Sequence, residues 1–397
     1  MKTVTLREIT LNITDGKHGD CEPAENSGYY FVSCKDVNNG TIDYANARQI
    51  SERAFLETHK RTQLEPNDIL ITNSGTIGRM ALVKDILETY RTTFQKSVAI
   101  VKPDISVVLP TYLYYKLQNC VTDFVNCSNG SAQKNLLLGT MRKFQIDLHE
   151  DFAEQERLSS ILAAYDNLIE NNQKQIKLLE ETARRLYKEW FVNFRFPGYE
   201  DTPIVDGVPE GWALGELGDI AIDSGKKEKK EHRGQYQYYL PIDCLPKRSL
   251  AYTDKNDITL AESSLVAFMP NDILFGAMRP YFHKVVVARD KGLTRTTCFV
   301  INSKMPAYWA YLLLLLFSKD TVDYATQISV GTTMPYVRWK DFIHMPTLIP
   351  PEEKCDAFQA IVLPIIERIS CLAVSSERLI QARDRLLPKL MSGEIEV

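Results

Sequence analysis

PNDIL occurs twice in this chain, at Pro66–Leu70 and at Pro270–Leu274. The offset, 270 − 66 = 204, is about half of the 397 residues. Each copy has the composition of a turn running into a strand: Pro and Asn bend the chain, and Ile and Leu extend it. A polar loop follows each one, ITNSGTIGR at 71–79 and FGAMRPYFHK at 275–284.

The match extends outward in both directions. LREIT (Leu6–Thr10) answers to LGELG (Leu214–Gly218), offset 208, and FVSCKDV (Phe31–Val37) to YYLPIDC (Tyr238–Cys244), offset 207. KSVAIV (Lys96–Val101) answers to TTCFVI (Thr296–Ile301), offset 200. NGSAQKNL (Asn129–Leu136) answers to VGTTMPYV (Val330–Val337), offset 201, and KFQIDL (Lys143–Leu148) to DFIHMPTL (Asp341–Leu348), offset about 198. Single matches are weak, but their collinear order indicates a duplication, with small loop insertions drifting the offset. A chain of 397 residues is also too long for one ordinary core, so two domains are expected.

Each copy runs from a strand-rich region into a helical one. ILIT, SVAIV, ILFGAM, KVVVA and CFVIN are short apolar runs broken by Asn, Gly, Asp and Pro, as in a curved sheet with long loops. DFAE (Asp151–Glu154) and PPEE (Pro350–Glu353) read as helix starts. Beyond the first, Leu162, Tyr165, Ile169, Asn172, Ile176, Leu179, Ala183, Leu186 and Trp190 alternate spacings of three and four, an apolar seam broken by Asn172. The second seam is Phe358, Val362, Ile365, Ile369, Leu372, Ser376, Leu379, Arg383, Leu386 and Leu390. Pro364 lies inside it and is expected to kink the helix or delay its start. Neither seam buries itself alone, so the two helices are expected to pack on each other, antiparallel within one chain. Asn172 either fixes the register of that pair or faces its edge.

Composition is that of a folded soluble protein, with 44% hydrophobic and 25% charged residues. The N-terminus carries no apolar run of signal-peptide length. YWAYLLLLLFS (Tyr308–Ser318) covers about half of the ~20 residues a bilayer crossing needs and reads as a buried helix. The eight cysteines are scattered and have no zinc spacing, so they read as reduced cytosolic thiols. The net charge of −4 neither supports nor excludes DNA, because the run GKKEKKEHR (Gly225–Arg233) is locally basic.

No phosphate loop, dinucleotide fingerprint, nucleophile elbow, metal-spaced histidine set or amino-methyltransferase signature is found. What remains is polar loop chemistry at matching places. Asn and Arg read adenine and guanine edges bidentately, while Ser, Thr, Tyr, Lys and loop amides contact phosphates. The candidate DNA contacts in the first copy are Asn73, Ser74, Thr76, Arg79, Lys96, Ser131, Lys134 and Asn135. In the second they are Lys226, Lys227, Lys229, Lys230, Arg279, Tyr281, His283, Lys284, Thr332 and Thr333.

LEETARRLYKEWFVNFRFPGYED (Leu179–Asp201) and GVPEGWALGELGDIA (Gly207–Ala221) resemble the central conserved region of the specificity (S) subunit of type I restriction-modification systems. RLLPKLMSGEIEV (Arg385–Val397) resembles that family's C-terminal signature, and the Asn-Asp-Ile-Leu and Ser-Gly-Thr-Ile-Gly elements recur in its recognition domains. The resemblance spans essentially the whole chain. It implies an α+β fold: two mixed, strand-containing target recognition domains (1–150 and 197–349) joined by two long antiparallel coiled-coil helices (151–196 and 350–397), with a pseudo-twofold internal repeat. It also implies a cytoplasmic, non-catalytic DNA-binding subunit, each domain reading one half of a bipartite double-stranded site. The helices would set the spacer and dock two methyltransferase (M) subunits, with restriction-translocation (R) subunits completing the complex. AdoMet, ATP and Mg would belong to those partners, with no cofactor in this chain and no membrane. The 28 rises from Leu162 to Trp190 span roughly 42 Å at ~1.5 Å each, about one duplex turn or slightly more. Two rival readings are a recognition part of a single-chain nuclease-methyltransferase, for which 397 residues leave no room, and a coiled-coil scaffold with two protein-binding heads.

Overall fold

In the computed structural model, which describes residues 1–38, 40–130, 134–262 and 264–395, both copies of PNDIL form the same turn. Asn67 and Asn271 take the left-handed conformation, φ +72° and +69°, each just after its proline. The N–H groups of Asp68 and Asp272 return to the carbonyls of Glu65 (3.2 Å) and Met269 (3.1 Å). That is a type II turn, in which Pro presets the first corner and Asn tolerates the second. Each Asp carboxylate then reaches back to accept the N–H of the residue that opens the turn, Glu65 at 2.9 Å and Met269 at 2.8 Å. Both carboxylates are buried, and their remaining partners differ: Lys102 (2.7 Å) serves Asp68, while Asn302 (2.9 Å) and Ser224 (3.1 Å) serve Asp272. Burial pushes the Asp68 carboxyl upward, although the Lys102 ammonium pulls the other way.

The chain forms two compact units. Unit 1 comprises Met1–Asn167 with Ile380–Val397, and unit 2 comprises Leu168–Leu379. These divisions cut across both long helices.

In unit 1 the turn feeds strand Ile69–Thr72 of a four-stranded antiparallel sheet, in the order Thr10–Asp15, Val98–Pro103, Ile69–Thr72, Met80–Leu82. Alternate side chains of that strand enter different cores. Ile69 and Ile71 join a cluster with Leu113, Leu117, Phe124 and Leu162, and Leu70 joins one with Val32, Phe94 and Ile100. A strand covered on both faces therefore reads as a continuous apolar run. A second sheet orders Arg48–Gln49, Tyr30–Val32 and Thr92–Phe94, the last two parallel.

Unit 2 has its own four-stranded sheet, in the order Ala221–Asp223, Cys298–Ser303, Ile273–Gly276, Val285–Val287. Ile273 and Phe275 face one core and Leu274 another. Its second sheet has five strands, Lys226–Glu228, Leu265–Phe268, Gly292–Arg295, Tyr238–Tyr239 and Asn256–Asp257. Tyr308–Ser318 lies largely in the buried helix Trp309–Leu316.

The first long helix runs Phe152–Tyr187 and starts where Asp151 Oδ1 accepts the Ala153 N–H at 3.1 Å. Of its expected seam, Leu162, Ile169, Asn172, Ile176, Ala183 and Trp190 are buried. The second runs unbroken over Glu352–Ser392. Pro364 therefore does not delay its start. The helix is established a full three turns upstream, so the missing N–H costs one internal bond and not the nucleus. The buried position next to it is Ile366, not Ile365, a one-residue shift of the expected seam. This helix is long and apolar enough to span a membrane by length and composition, and its Phe358, Val362, Ile366, Ile369 and Leu372 are packed in the unit 2 core.

Residues of the two helices meet inside each unit. In unit 1, Leu158 and Leu162 share a core with Leu390 and Met391, and Arg383 bonds Asp166 at 2.6 Å. In unit 2, Asn172 donates to Ser375 at 3.3 Å, and Trp190 and Phe191 pack on Phe358 with ring centroids 5.4 and 4.8 Å apart. Asn172 is thus turned to the other helix and buried.

Candidate nucleic-acid interface

Three separate stretches converge beyond the end of strand Ile69–Thr72. The Asn73 N–H donates to Ser97 O (3.0 Å), and Asn73 O accepts the Leu136 N–H (2.8 Å). Ser74 bridges Asn135, and Asn135 bridges Asn129. Inside the loop, the Thr72 hydroxyl donates to Thr76 O (2.5 Å) and accepts the Arg79 N–H (2.9 Å), pinning both ends of the turn.

Unit 2 builds the same node. The Ala277 N–H donates to Thr297 O (2.9 Å), and Ala277 O accepts the Val337 N–H (3.0 Å). Met278 bridges Tyr336, and Tyr336 bridges Val330 across a tight hairpin. Segments that are far apart in sequence therefore sit together in both units.

The side chains differ between the two nodes. In unit 1, Thr76, Arg79, Lys96 and Lys134 are exposed, and Ser74 and Asn135 are half-buried. Asn73 is buried, and its Oδ1 has no hydrogen-bond partner. Ser131 lies outside the described residues. In unit 2, Tyr281, Thr332 and Thr333 are exposed. Arg279 takes the left-handed conformation at φ +51°, gives its N–H to Pro335 O (2.7 Å) and its Nη2 to Thr333 O (3.2 Å). It thereby ties the loop to the hairpin while remaining half-exposed.

Two expected contacts turn inward instead. Lys284 Nζ donates to Ile242 O at 2.6 Å, and His283 Nε2 lies 3.1 Å from Phe317 O. Burial lowers the pKa of both. The sequence shows two cationic residues after an exposed turn, but the short turn Pro280–Phe282 ends with His283 in the left-handed conformation (φ +52°) just before the strand Val285–Val287, and both side chains enter the fold. His283 also lines a cavity of about 810 Å³, with Leu314 and Phe317 among its apolar neighbours.

Lys226, Lys227 and Lys229 are exposed on and just after the edge strand of the five-stranded sheet, and the Lys230 side chain lies outside the described residues. Their placement reveals a cation that sequence reading missed. Gly225 precedes Lys226, and in unit 1 Gly16 precedes Lys17 at the end of the corresponding edge strand. A Cβ on Gly16 would lie 1.9 Å from Phe94 O, and one on Gly225 would lie 2.5 Å from Val266 Cγ1. Both steps thus demand glycine. Lys17 then donates its N–H to Phe94 O (2.8 Å) and accepts that of Lys96 (3.0 Å), so two lysines stand side by side. The signal was present as TDGK (Thr14–Lys17) against DSGK (Asp223–Lys226), offset 209.

Among the described residues, no group of three or more His, Cys, Asp or Glu side chains is arranged to hold a metal. The fold and these nodes define a two-unit α+β protein that presents polar, partly cationic loops from two matching sheets. Residues 15–181 match the family model described as the type I restriction modification DNA specificity domain. The chain is 28% identical over 390 residues to the type I restriction enzyme MjaIX specificity subunit of Methanocaldococcus jannaschii, covering 92% of this chain and 87% of that one. It is 22% identical over 469 residues to the HindI specificity subunit of Haemophilus influenzae, with 99% of each covered. In fold it is similar to the crystal structure of the type I restriction-modification S subunit from M. genitalium, with a TM-score of 0.57 at 14% identity, covering 98% of this chain and 95% of that one. Over most of its length the chain is thus similar to type I restriction enzyme specificity subunits, and residues 15–181 match the specificity-domain model.

Proposed function

We propose that this chain gives a type I restriction-modification complex its sequence specificity. Unit 1 reads one half of a bipartite duplex site through the loops around Asn73–Arg79 and Asn129–Asn135. Unit 2 reads the other half through Ala277–Phe282 and Val330–Tyr336. The observation that carries this reading is the convergence of three distant segments at the same strand end in both units, with Thr76, Arg79 and Lys134 exposed on one node and Arg279, Tyr281 and Thr333 accessible on the other. Arg and Asn there supply base-edge contacts in the major groove, and Lys, Thr and Tyr supply phosphate contacts. The equivalent nodes support a pseudo-twofold repeat.

The two long helices form an antiparallel coiled-coil pair that sets the gap between half-sites and docks two methyltransferase subunits. The pairings 166 with 383, 172 with 375 and 190 with 358, in which one number rises as the other falls, support the antiparallel sense. Catalysis, with AdoMet, ATP and Mg, belongs to the partner subunits, and the target adenine is flipped out of the stack by the methyltransferase.

Mapping methylated adenines genome-wide in a host carrying this chain with its partners tests the reading. A bipartite motif with a fixed gap is expected, and an unbroken motif overturns it. Inserting one heptad into both helices should lengthen the gap and leave both half-sites unchanged.

A further inference from the structure

The five-stranded sheet of unit 2 contains two strands with no counterpart in the three-stranded sheet of unit 1. Tyr238–Tyr239, Asn256–Asp257 and Gly292–Arg295 repeat the pairing senses of Tyr30–Val32, Arg48–Gln49 and Thr92–Phe94, one antiparallel and one parallel. Leu265–Phe268 and Lys226–Glu228 are additional, and the latter is the free edge.

Register places this edge beside the recognition node. Glu228 lies opposite Leu265, and Leu265 lies opposite Arg295. Two residues beyond Arg295, Thr297 O accepts the N–H groups of Ala277 (2.9 Å) and Met278 (3.3 Å). The edge strand therefore runs toward the same end of the unit as the loop that carries Arg279.

The charge on this edge is unopposed. Glu228 is occupied locally: it accepts the Tyr236 hydroxyl (2.6 Å) and the Lys229 N–H (3.0 Å), and it stands 3.1 Å from His232 Nδ1. Lys226, Lys227 and Lys229 are exposed, and among the described residues none of them has a carboxylate within ion-pair distance. From Lys226 to Gln235 the sequence carries five Lys and Arg against two Glu, a net of 5 − 2 = +3. Unit 1 has at the corresponding layer the helix Glu52–Thr62, whose arginines are paired, Arg53 with Glu57 and Arg61 with Asp15.

We infer that the Lys226–Lys229 edge is a sequence-independent phosphate grip, specific to unit 2, that lets this half of the protein hold DNA before either half-site is read. The inference rests on the DNA-reading function proposed above. Lysine is suited to it as a point charge that neutralises a phosphodiester without demanding one geometry. Lysines on a free strand edge also keep sheets from pairing with one another, which is the competing explanation.

The two explanations separate in one experiment on the chain assembled with its methyltransferase partners. Binding to a duplex lacking any target motif is measured across about 50–200 mM salt. Each phosphate contact adds ~0.9 to the slope of log affinity against log salt, so the combined substitution K226A/K227A/K229A should reduce the slope by about 2.7. Over that fourfold salt range the loss of affinity becomes about 40-fold smaller. The methylated motif should stay the same. The variant K60A/K143A/K304A removes three exposed lysines from elsewhere and should leave the slope unchanged. An unchanged slope in the first variant overturns the grip, and an unchanged slope with new self-association assigns the lysines to edge protection. If the unsubstituted complex shows no salt-dependent DNA affinity and no methylated motif, the failure lies in the proposed function and not in the grip.

Discussion

Beside the central sheet, unit 1 packs the helix Glu52–Thr62 where unit 2 packs the strand Leu265–Phe268 with its basic partner Lys226–Glu228. The local causes are plain in each case. Ser51 caps the helix by accepting the Ala54 N–H, and Ala54, Phe55, Thr58 and Thr62 make one buried stripe at helical spacing. LVAF is a run buried at every position, as a strand covered on both faces requires. Meanwhile the turn, the strand after it and the three-segment node are the same in both units down to individual backbone bonds. The difference separates a skeleton specified by Pro, Asn and Asp at fixed places from attachments that vary freely around it.

The largest test of that difference lies at the ion pairs to the long helices. In unit 2, Glu377 takes Lys255 at 2.6 Å and Arg289 at 3.3 Å. Arg289 stacks 4.2 Å over the Tyr252 ring, and its side chain is only 8% exposed. Glu377→Ala strands a buried guanidinium whose Nε and Nη1 already have no partner, and it should cost about 3–5 kcal/mol. In unit 1, Asp166→Ala frees Arg383, which keeps Asp384 at 2.8 Å, and leaves the Tyr115 hydroxyl without its acceptor. A cost of about 1–3 kcal/mol is expected there. Hydrogen exchange read separately in each unit measures both, and equal losses would contradict the contrast.

Next in size are the recognition loops. Arg279→Ala should weaken discrimination at one half-site by about 1–3 kcal/mol, or roughly 5- to 150-fold, and leave the other half unchanged. Arg79→Ala should do the reverse. Methylation rates on duplexes altered in one half at a time give the answer, and a loss shared by both halves would sink the assignment of one unit to each half.

Much of the skeleton was legible in the sequence because its signals are local. PNDIL encodes a type II turn, and the first seam encodes a helix on which Leu162, Ile169, Asn172, Ile176 and Ala183 are buried as expected, while Tyr165, Leu179 and Leu186 are half-buried. The second seam slipped by one residue at Ile366, where Ile365 and Ile366 stand together and spacing alone does not choose between them. The inward turn of His283 and Lys284 was not legible. It depends on carbonyls of Phe317 and Ile242, which lie 34 and 42 residues away. Lys17 was overlooked because a single Gly-Lys pair has no periodicity, and only register across the sheet gives it a neighbour in Lys96.

A smaller and symmetric effect tests the shared turn. Asn67→Ala and Asn271→Ala each force a side chain with poor left-handed tolerance into φ near +70°, at about 1 kcal/mol apiece. Asn→Gly at either place should be close to neutral. Denaturation midpoints measure both, and a large inequality between the two sites would break the equivalence of the units.

The smallest expected effect is one of pH. Burial lowers the pKa of His59 and His149 in unit 1 and of His283 in unit 2, and Glu154 beside His149 opposes it only in part. A histidine held below its unfolded value stays neutral in the fold while the unfolded chain takes up the proton. Stability is therefore full above the unfolded pKa of ~6.5 and declines as pH falls below it. Unit 1 holds two such groups and unit 2 one, so exchange protection should fade in unit 1 first on acidification. His283→Asn should flatten the response of unit 2 alone. If unit 2 faded first, or if the substitution left its slope unchanged, the inward placement of His283 against the Phe317 carbonyl would not be what governs its titration.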